Sequence, residues 1–173
     1  MIFLIKNKYH KTSLGDGMIR IEIPGTGPVN IQNLMFDYNG TIAADGRLLE
    51  GIGPAMNRLA HQLDFHVVTA DTFGSVQAQL EGVTANFVLI SNQEQDQKKL
   101  DVLNAIGADT TMAVGNGIND ALMLKHARLG AAVLGEEGMA LPALMSADVI
   151  VRHILDVFAF FENPKRLIAT LRN

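Results

Sequence analysis

No cysteine occurs among the 173 residues, which rules out disulfides and thiolate metal sites and agrees with a reducing, cytoplasmic setting. Basic residues are in the minority, 14 against 18 acidic, for a net charge of -4, so the chain lacks the electrostatic footprint of a nucleic-acid binder. Apolar runs extend over a handful of residues, far short of the roughly 20 that a membrane-spanning helix requires. Neither a nucleic-acid nor a membrane partner is expected. The opening run Met1-Ile2-Phe3-Leu4-Ile5 is followed by Lys6, Lys8 and His10 rather than a small-residue cleavage site, so it does not read as a signal peptide.

What the chain does have is 48% hydrophobic and 18% charged residues, enough for one ordered domain with a full core. Met18 opens Ile19-Arg20-Ile21-Glu22-Ile23, whose alternation suits a half-buried strand. Residues 1–17 read as an N-terminal appendage with Met18 a candidate native start, and residues 18–173 read as a single domain.

Beyond the turn Pro24-Gly25-Thr26-Gly27-Pro28, strand-like runs alternate with helix-length amphipathic stretches. The runs lie at 33–36, 65–69, 86–90, 110–114, 131–134 and 148–151. The stretches lie at 54–63, 74–80, 96–106, 119–127, 138–145, 154–161 and 164–171, with Asn163 as a helix cap. Met56, Leu59, Ala60 and Leu63 share one face at helical spacing, and Pro54 suits a first turn. Such alternation predicts an α/β fold, a Rossmann-like three-layer αβα arrangement around a mostly parallel sheet. Asp45-Gly46 is a hairpin-turn signal and predicts a small β-hairpin flap after Thr41.

The most informative segment is Leu34-Met35-Phe36-Asp37-Tyr38-Asn39-Gly40-Thr41, where a buried-strand pattern runs into an aspartate at a tight, glycine-containing turn. Three segments follow in order: Val67-Val68-Thr69-Ala70-Asp71, a helix opening with Lys98-Lys99, and Val114-Gly115-Asn116-Gly117-Ile118-Asn119-Asp120. Each falls at a strand end or helix start, where open α/β sheets bind ligands.

Together the four segments resemble the haloacid dehalogenase (HAD) superfamily over about residues 31 to 151, and within it the phosphorylation domain of P-type ATPases. Only about two dozen residues separate Thr41 from Thr69, too few for an inserted cap or nucleotide-binding domain of ordinary size. The resemblance implies a free-standing, capless HAD-like hydrolase in which Asp37 is the nucleophile of an aspartyl-phosphate mechanism. Thr69 would hydrogen-bond the phosphoryl group, and Gly40, Thr41, Ala70 and Asp71 would line the substrate site. Lys99 would balance charge. It is preferred to Lys98 because Leu103 and Ile106 then fall at +4 and +7 on the apolar face. Mg²⁺ would be held by the Asp37 carboxylate, the Asn39 carbonyl and Asn116 or Asp120, directly or through water.

Two departures bear on activity. Superfamily phosphatases carry an aspartate acid/base two residues after the nucleophile, and here that position is Asn39, whose amide cannot shuttle the proton. Asn116 stands where a metal-ligating aspartate is commoner. The resemblance therefore implies a slow phosphohydrolase with a preference for activated leaving groups, Asp71 or Asp120 being candidate substitute bases. The alternative is a non-catalytic or regulatory phosphoryl-binding module of the same fold. The expected partner is a phosphorylated small molecule or phosphoryl donor. An open, capless site makes a homo-oligomer the expected assembly, with Phe158, Phe160 and Phe161 readable as core or as a subunit contact. His10, His61, His66, His126 and His153 lack metal-ligand spacing, and His66 reads as a core histidine.

Overall fold

The computed structural model describes residues 3–5, 17–70, 76 and 78–173. The strands, in chain order, are β1 (Phe3–Ile5), β2 (Ile19–Ile23), β3 (Gly27–Ile31), β4 (Asn33–Asp37), β5 (Ala43–Ala44), β6 (Arg47–Leu48), β7 (Asp64–Thr69), β8 (Asn86–Leu89), β9 (Thr111–Gly115), β10 (Leu129–Val133) and β11 (Val149–Val151). The helices are α1 (Ile52–Leu59), α2 (Gln95–Ile106), α3 (Ala121–His126), α4 (Leu141–Ser146), α5 (Leu155–Glu162) and α6 (Lys165–Leu171). The stretch expected at 74–80 lies largely outside the described residues, although 76, 78 and 79 are helical.

Seven strands form the main sheet in the order β1-β8-β7-β4-β9-β10-β11. All neighbours pair in parallel except the edge strand β1, which runs antiparallel to β8. From β4 the chain steps outward through β7 to β8, then returns to the other side of β4 and steps through β9 and β10 to β11. The reversal sits at β4 and β9, and a crevice opens beyond the C-terminal ends of strands at such a point.

Strand alternation divides the core between the two faces. Leu34 and Phe36 of β4 join Phe65, Val67 and Val114 on a face covered by α1 and α5, where Phe36 stacks on Phe65 and Phe158 and these two meet at a tilt, at centroid distances of 5.6 to 6.3 Å. Phe160 and Phe161 are buried in the same cluster, so all three C-terminal phenylalanines are core. Met35, Val68 and Ala113 point to the opposite face, against Val102 and Leu103 of α2, Met123 and Leu124 of α3, and Ala143 of α4. By the same alternation Asp37, two residues after Met35, is directed to the α2 side.

Two small hairpins lie outside the sheet: β2 with β3, and β5 with β6. The second is the flap at Asp45-Gly46. Among the described residues nothing larger is inserted between β4 and α1. The strand β3 departs from the expected turn, which ends at Thr26 rather than Pro28. Pro28 lacks an N–H, but in a two-stranded hairpin its other side needs no ladder partner. The Asn163 side chain makes no capping bond; Pro164 takes the cap position, and the Asn163 backbone carbonyl accepts from the Arg166 N–H at 3.1 Å.

Candidate active site

Asp37 ends β4, whose five residues are all buried, and it is 8% exposed. Past it the chain coils into one tight turn: the Tyr38 carbonyl accepts from the N–H groups of Thr41, Ile42 and Ala43 at 3.3, 3.0 and 2.9 Å, and the Gly40 N–H donates to the Ala43 carbonyl at 2.7 Å. Gly40 has φ +76, and a Cβ there would run into the Asn116 carboxamide. Both facts demand glycine.

The helix α2 is polar on most of its surface, and its buried residues are Lys99, Val102 and Leu103. A lysine in that stripe is tolerated only with partners. Lys99, 1% exposed, has two: its Nζ donates to Asp37 Oδ1 at 2.5 Å and to Asp120 Oδ1 at 2.6 Å. Lys98 lies outside, 3.8 Å from Asp101.

Asp120 is fully buried, and its Oδ2 accepts from the N–H groups of Asn116 and Gly117 at 2.9 and 2.8 Å. Gly115, at the end of β9, leaves room for this, since a Cβ would overlap the Asp120 carboxyl. With both oxygens engaged and its side chain fully buried, Asp120 pins the Asn116-Gly117 loop and does not line the crevice, which counts against it as the substitute base named above. The other candidate base, Asp71, lies outside the described residues.

Three buried charges, two negative and one positive, leave the cluster one cation short. Burial pushes the Asp37 carboxyl up to about 7, Asp120 pushes the same way, and Lys99 pulls back. Burial alone would lower the Lys99 ammonium, but Asp37 and Asp120 outweigh it and hold it above the usual lysine range. This imbalance fits a divalent ion. Among the described residues no three His, Cys, Asp or Glu side chains converge on one point. Magnesium needs no such cluster, because it takes one or two carboxylates with waters and substrate oxygens.

The crevice over Asp37 is about 470 Å³ and is lined by Asn39, Thr69, Ala70, Asn116, Asn119 and Glu137, among others. Thr69 ends β7 beside Asp37. Thr41, buried behind the loop, donates from Oγ1 to Asn116 Oδ1 at 3.2 Å, while Asn116 Nδ2 donates to the Gly138 carbonyl at 3.0 Å. Gly40 and Thr41 line a smaller neighbouring cavity of about 170 Å³. Asp37, Asn39, Thr69, Lys99, Asn116 and Asp120 thus meet at one end of the sheet.

Two further residues at the site carry no sequence signal. The Glu137 Oε1 accepts from the Asp45 N–H of the flap at 2.9 Å. Gln79 accepts from the Leu48 N–H and donates to the Gly46 carbonyl, both at 2.6 Å. Neither belongs to a motif.

No family model matches the chain. A segment of 62 residues is 44% identical to the uncharacterized protein MJ0073 of Methanocaldococcus jannaschii, covering 36% of this chain and 67% of that one. The fold matches the 3-deoxy-D-manno-octulosonate 8-phosphate phosphatase of Moraxella catarrhalis, solved with magnesium, phosphate and KDO, at a TM-score of 0.59 and 15% identity over 82% of this chain and 94% of that one. It also matches the cobalt-bound deoxy-D-mannose-octulosonate 8-phosphate phosphatase of Haemophilus influenzae, at 0.58 and 13% identity over 80% and 96%.

Proposed function

From the premise that this chain belongs to one family with the uncharacterized protein MJ0073 and carries the HAD-superfamily fold, we propose that it is a magnesium-dependent phosphohydrolase acting through an aspartyl-phosphate on Asp37. The observation that carries this reading is the buried Lys99 ammonium held between Asp37 and Asp120, beneath an open crevice that Asp37 lines. The similarity to a P-type ATPase phosphorylation domain belongs to the same proposal and rests on the motifs around Asp37, Thr69 and Gly115–Asp120.

In this reading Lys99 fixes Asp37 through Oδ1, leaving Oδ2 to attack phosphorus in line with the departing group. The Thr69 hydroxyl and the backbone around Gly40, Thr41 and Ala70 receive the phosphoryl oxygens. The Asp37 carboxylate, the Asn39 carbonyl and Asn116 or Asp120, directly or through water, would hold the magnesium ion. The ion supplies charge neutralisation of the phosphoryl group. Asn39 lines the crevice but has no transferable proton, so a leaving group that needs protonation departs slowly. Substrates are phosphorylated small molecules or phosphoryl donors with good leaving groups, such as acyl phosphates.

The test is intact mass after incubation with acetyl phosphate and magnesium, together with phosphate release from p-nitrophenyl phosphate. A phosphoryl adduct or turnover that vanishes in Asp37→Asn is the expected result. Neither adduct nor turnover at millimolar magnesium would leave a phosphoryl-binding module instead.

A further inference from the structure

Taking the aspartyl-phosphate reading as given, we infer that Glu137 is the general base for the second half of the reaction, in the role that Asn39 cannot fill. Among the described residues lining the crevice, the carboxylates are Asp37 and Glu137. Asp120 is set aside because it is fully buried beneath Lys99 and two backbone N–H groups and does not line the crevice.

The placement of Glu137 is built from both sides. Its Oε1 is taken by the Asp45 N–H of the flap, while Oε2 has no protein partner among the described residues. The next residue, Gly138, accepts the Asn116 Nδ2 hydrogen bond, and the Ala140 N–H donates to the Asn116 carbonyl at 2.8 Å. At the other end of the turn, Gly135 packs so tightly on the nucleophile loop that a Cβ would lie 3.1 Å from the Gly40 carbonyl oxygen. The segment Gly135–Gly138 is therefore held against both the Asn39-Gly40 turn and the Asn116 loop. One carboxylate oxygen is anchored to the flap, and the side chain that carries the other lines the crevice.

The step balances with water as sole co-reactant. The water oxygen bonds to phosphorus as its proton passes to Glu137 Oε2. The bond between phosphorus and the Asp37 carboxylate oxygen breaks, its electron pair returns to Asp37, and hydrogen phosphate leaves. Glu137 then gives its proton to solvent, to which it is exposed.

The experiment is single-turnover decay of the phosphoryl adduct, formed from acetyl phosphate and magnesium, in wild type, Glu137→Gln, Glu137→Ala, Asn39→Asp and the Asn39→Asp/Glu137→Gln double variant. Glutamine keeps an oxygen to accept the Asp45 N–H but cannot take a proton. Adduct formation in Glu137→Gln is expected to persist and its decay to slow by roughly 10²-fold. With an aspartate at position 39 the base is supplied locally, so adding Glu137→Gln to Asn39→Asp should change decay by less than about threefold, set against that 10²-fold effect. Decay at the wild-type rate in Glu137→Gln, alone or with slowing confined to Glu137→Ala, would reduce Glu137 to a flap tether and overturn the inference. So would an equal slowing in both backgrounds. A wild-type protein that forms no adduct and shows no turnover overturns the aspartyl-phosphate reading itself and this inference with it.

Discussion

Lys99 is the residue on which the site's electrostatics turn. Removing one partner of a buried ion pair costs more than the pair contributes, because the remaining charge is left without compensation. In Lys99→Met, Asp37 and Asp120 would face each other in a buried site, and a loss of about 3 kcal/mol at neutral pH is expected. Millimolar magnesium should recover part of that loss, as read from urea midpoints with and without the ion. An unchanged midpoint would mean that the two carboxylates are not competing for one cation. His66 gives a second residue-scale expectation. Burial lowers its imidazole to about 4 from 6.5, although Asp64 opposes the shift, and its Nε2 meets Asn33 Oδ1 at 3.2 Å while Nδ1 has no partner among the described residues. Below about pH 6.5 the unfolded chain takes up a proton that the folded one refuses, so this histidine's stabilisation is complete above that pH and lost as pH falls toward 4. The shift corresponds to about 3 kcal/mol. The difference in unfolding free energy between wild type and His66→Gln should therefore shrink from pH 7 to pH 4; a difference independent of pH would count against a neutral, buried imidazole.

At the scale of the element, the turn after β4 and the loop after β9 are made to fit each other. Gly40→Ala would combine a strained positive φ with a collision against Asn116, and a cost of roughly 1–3 kcal/mol is expected together with loss of phosphoryl transfer. Thermal melting beside an activity assay would check it, and full activity would show that Asn116 can retreat without harm. Parallel strands covered on both faces read as continuous apolar runs, so β4, β7, β9 and β10 were legible in the sequence to within a residue or two. The hairpin strand β3 was not, because its opening Gly27-Pro28 carries a turn signature and its strand state depends on pairing with β2. Helix starts drifted for a similar reason: α1 begins two residues before Pro54, and a short 3-10 turn at Ile118–Asp120 precedes α3. The lysine of α2 was readable from its apolar stripe. Glu137 and Gln79 were not, since their partners are backbone groups of a hairpin distant in sequence, and no periodicity encodes such a contact.

For the whole molecule, the sheet order brings the ends of β4, β7 and β9 side by side, so the candidate site needs no residue from a second domain. Its open side is flanked by exposed apolar residues. Ile118 is 70% exposed, and Leu141 and Met145 of α4, which packs against the Ile118–Asp120 turn, are 72% and 81% exposed. With Phe158, Phe160 and Phe161 committed to the core, a homo-oligomer would have to use exposed apolar residues such as these three, and Met145→Glu is the variant that tests them. Light scattering at micromolar concentration should give a mass above the 18.7 kDa of one chain, and an 18.7 kDa species alone would end that proposal. The flap itself cannot serve as the joint. Gly46 and Leu48 offer a carbonyl and an N–H two residues apart on one side, the pattern by which a β-strand recruits a neighbour. Gln79 answers both with one carboxamide, and so acts as a strand a single residue long. A hairpin already partnered in this way has no β6 edge to lend to a second copy, so the flap stays a cover over its own site rather than a strand for a neighbour's sheet.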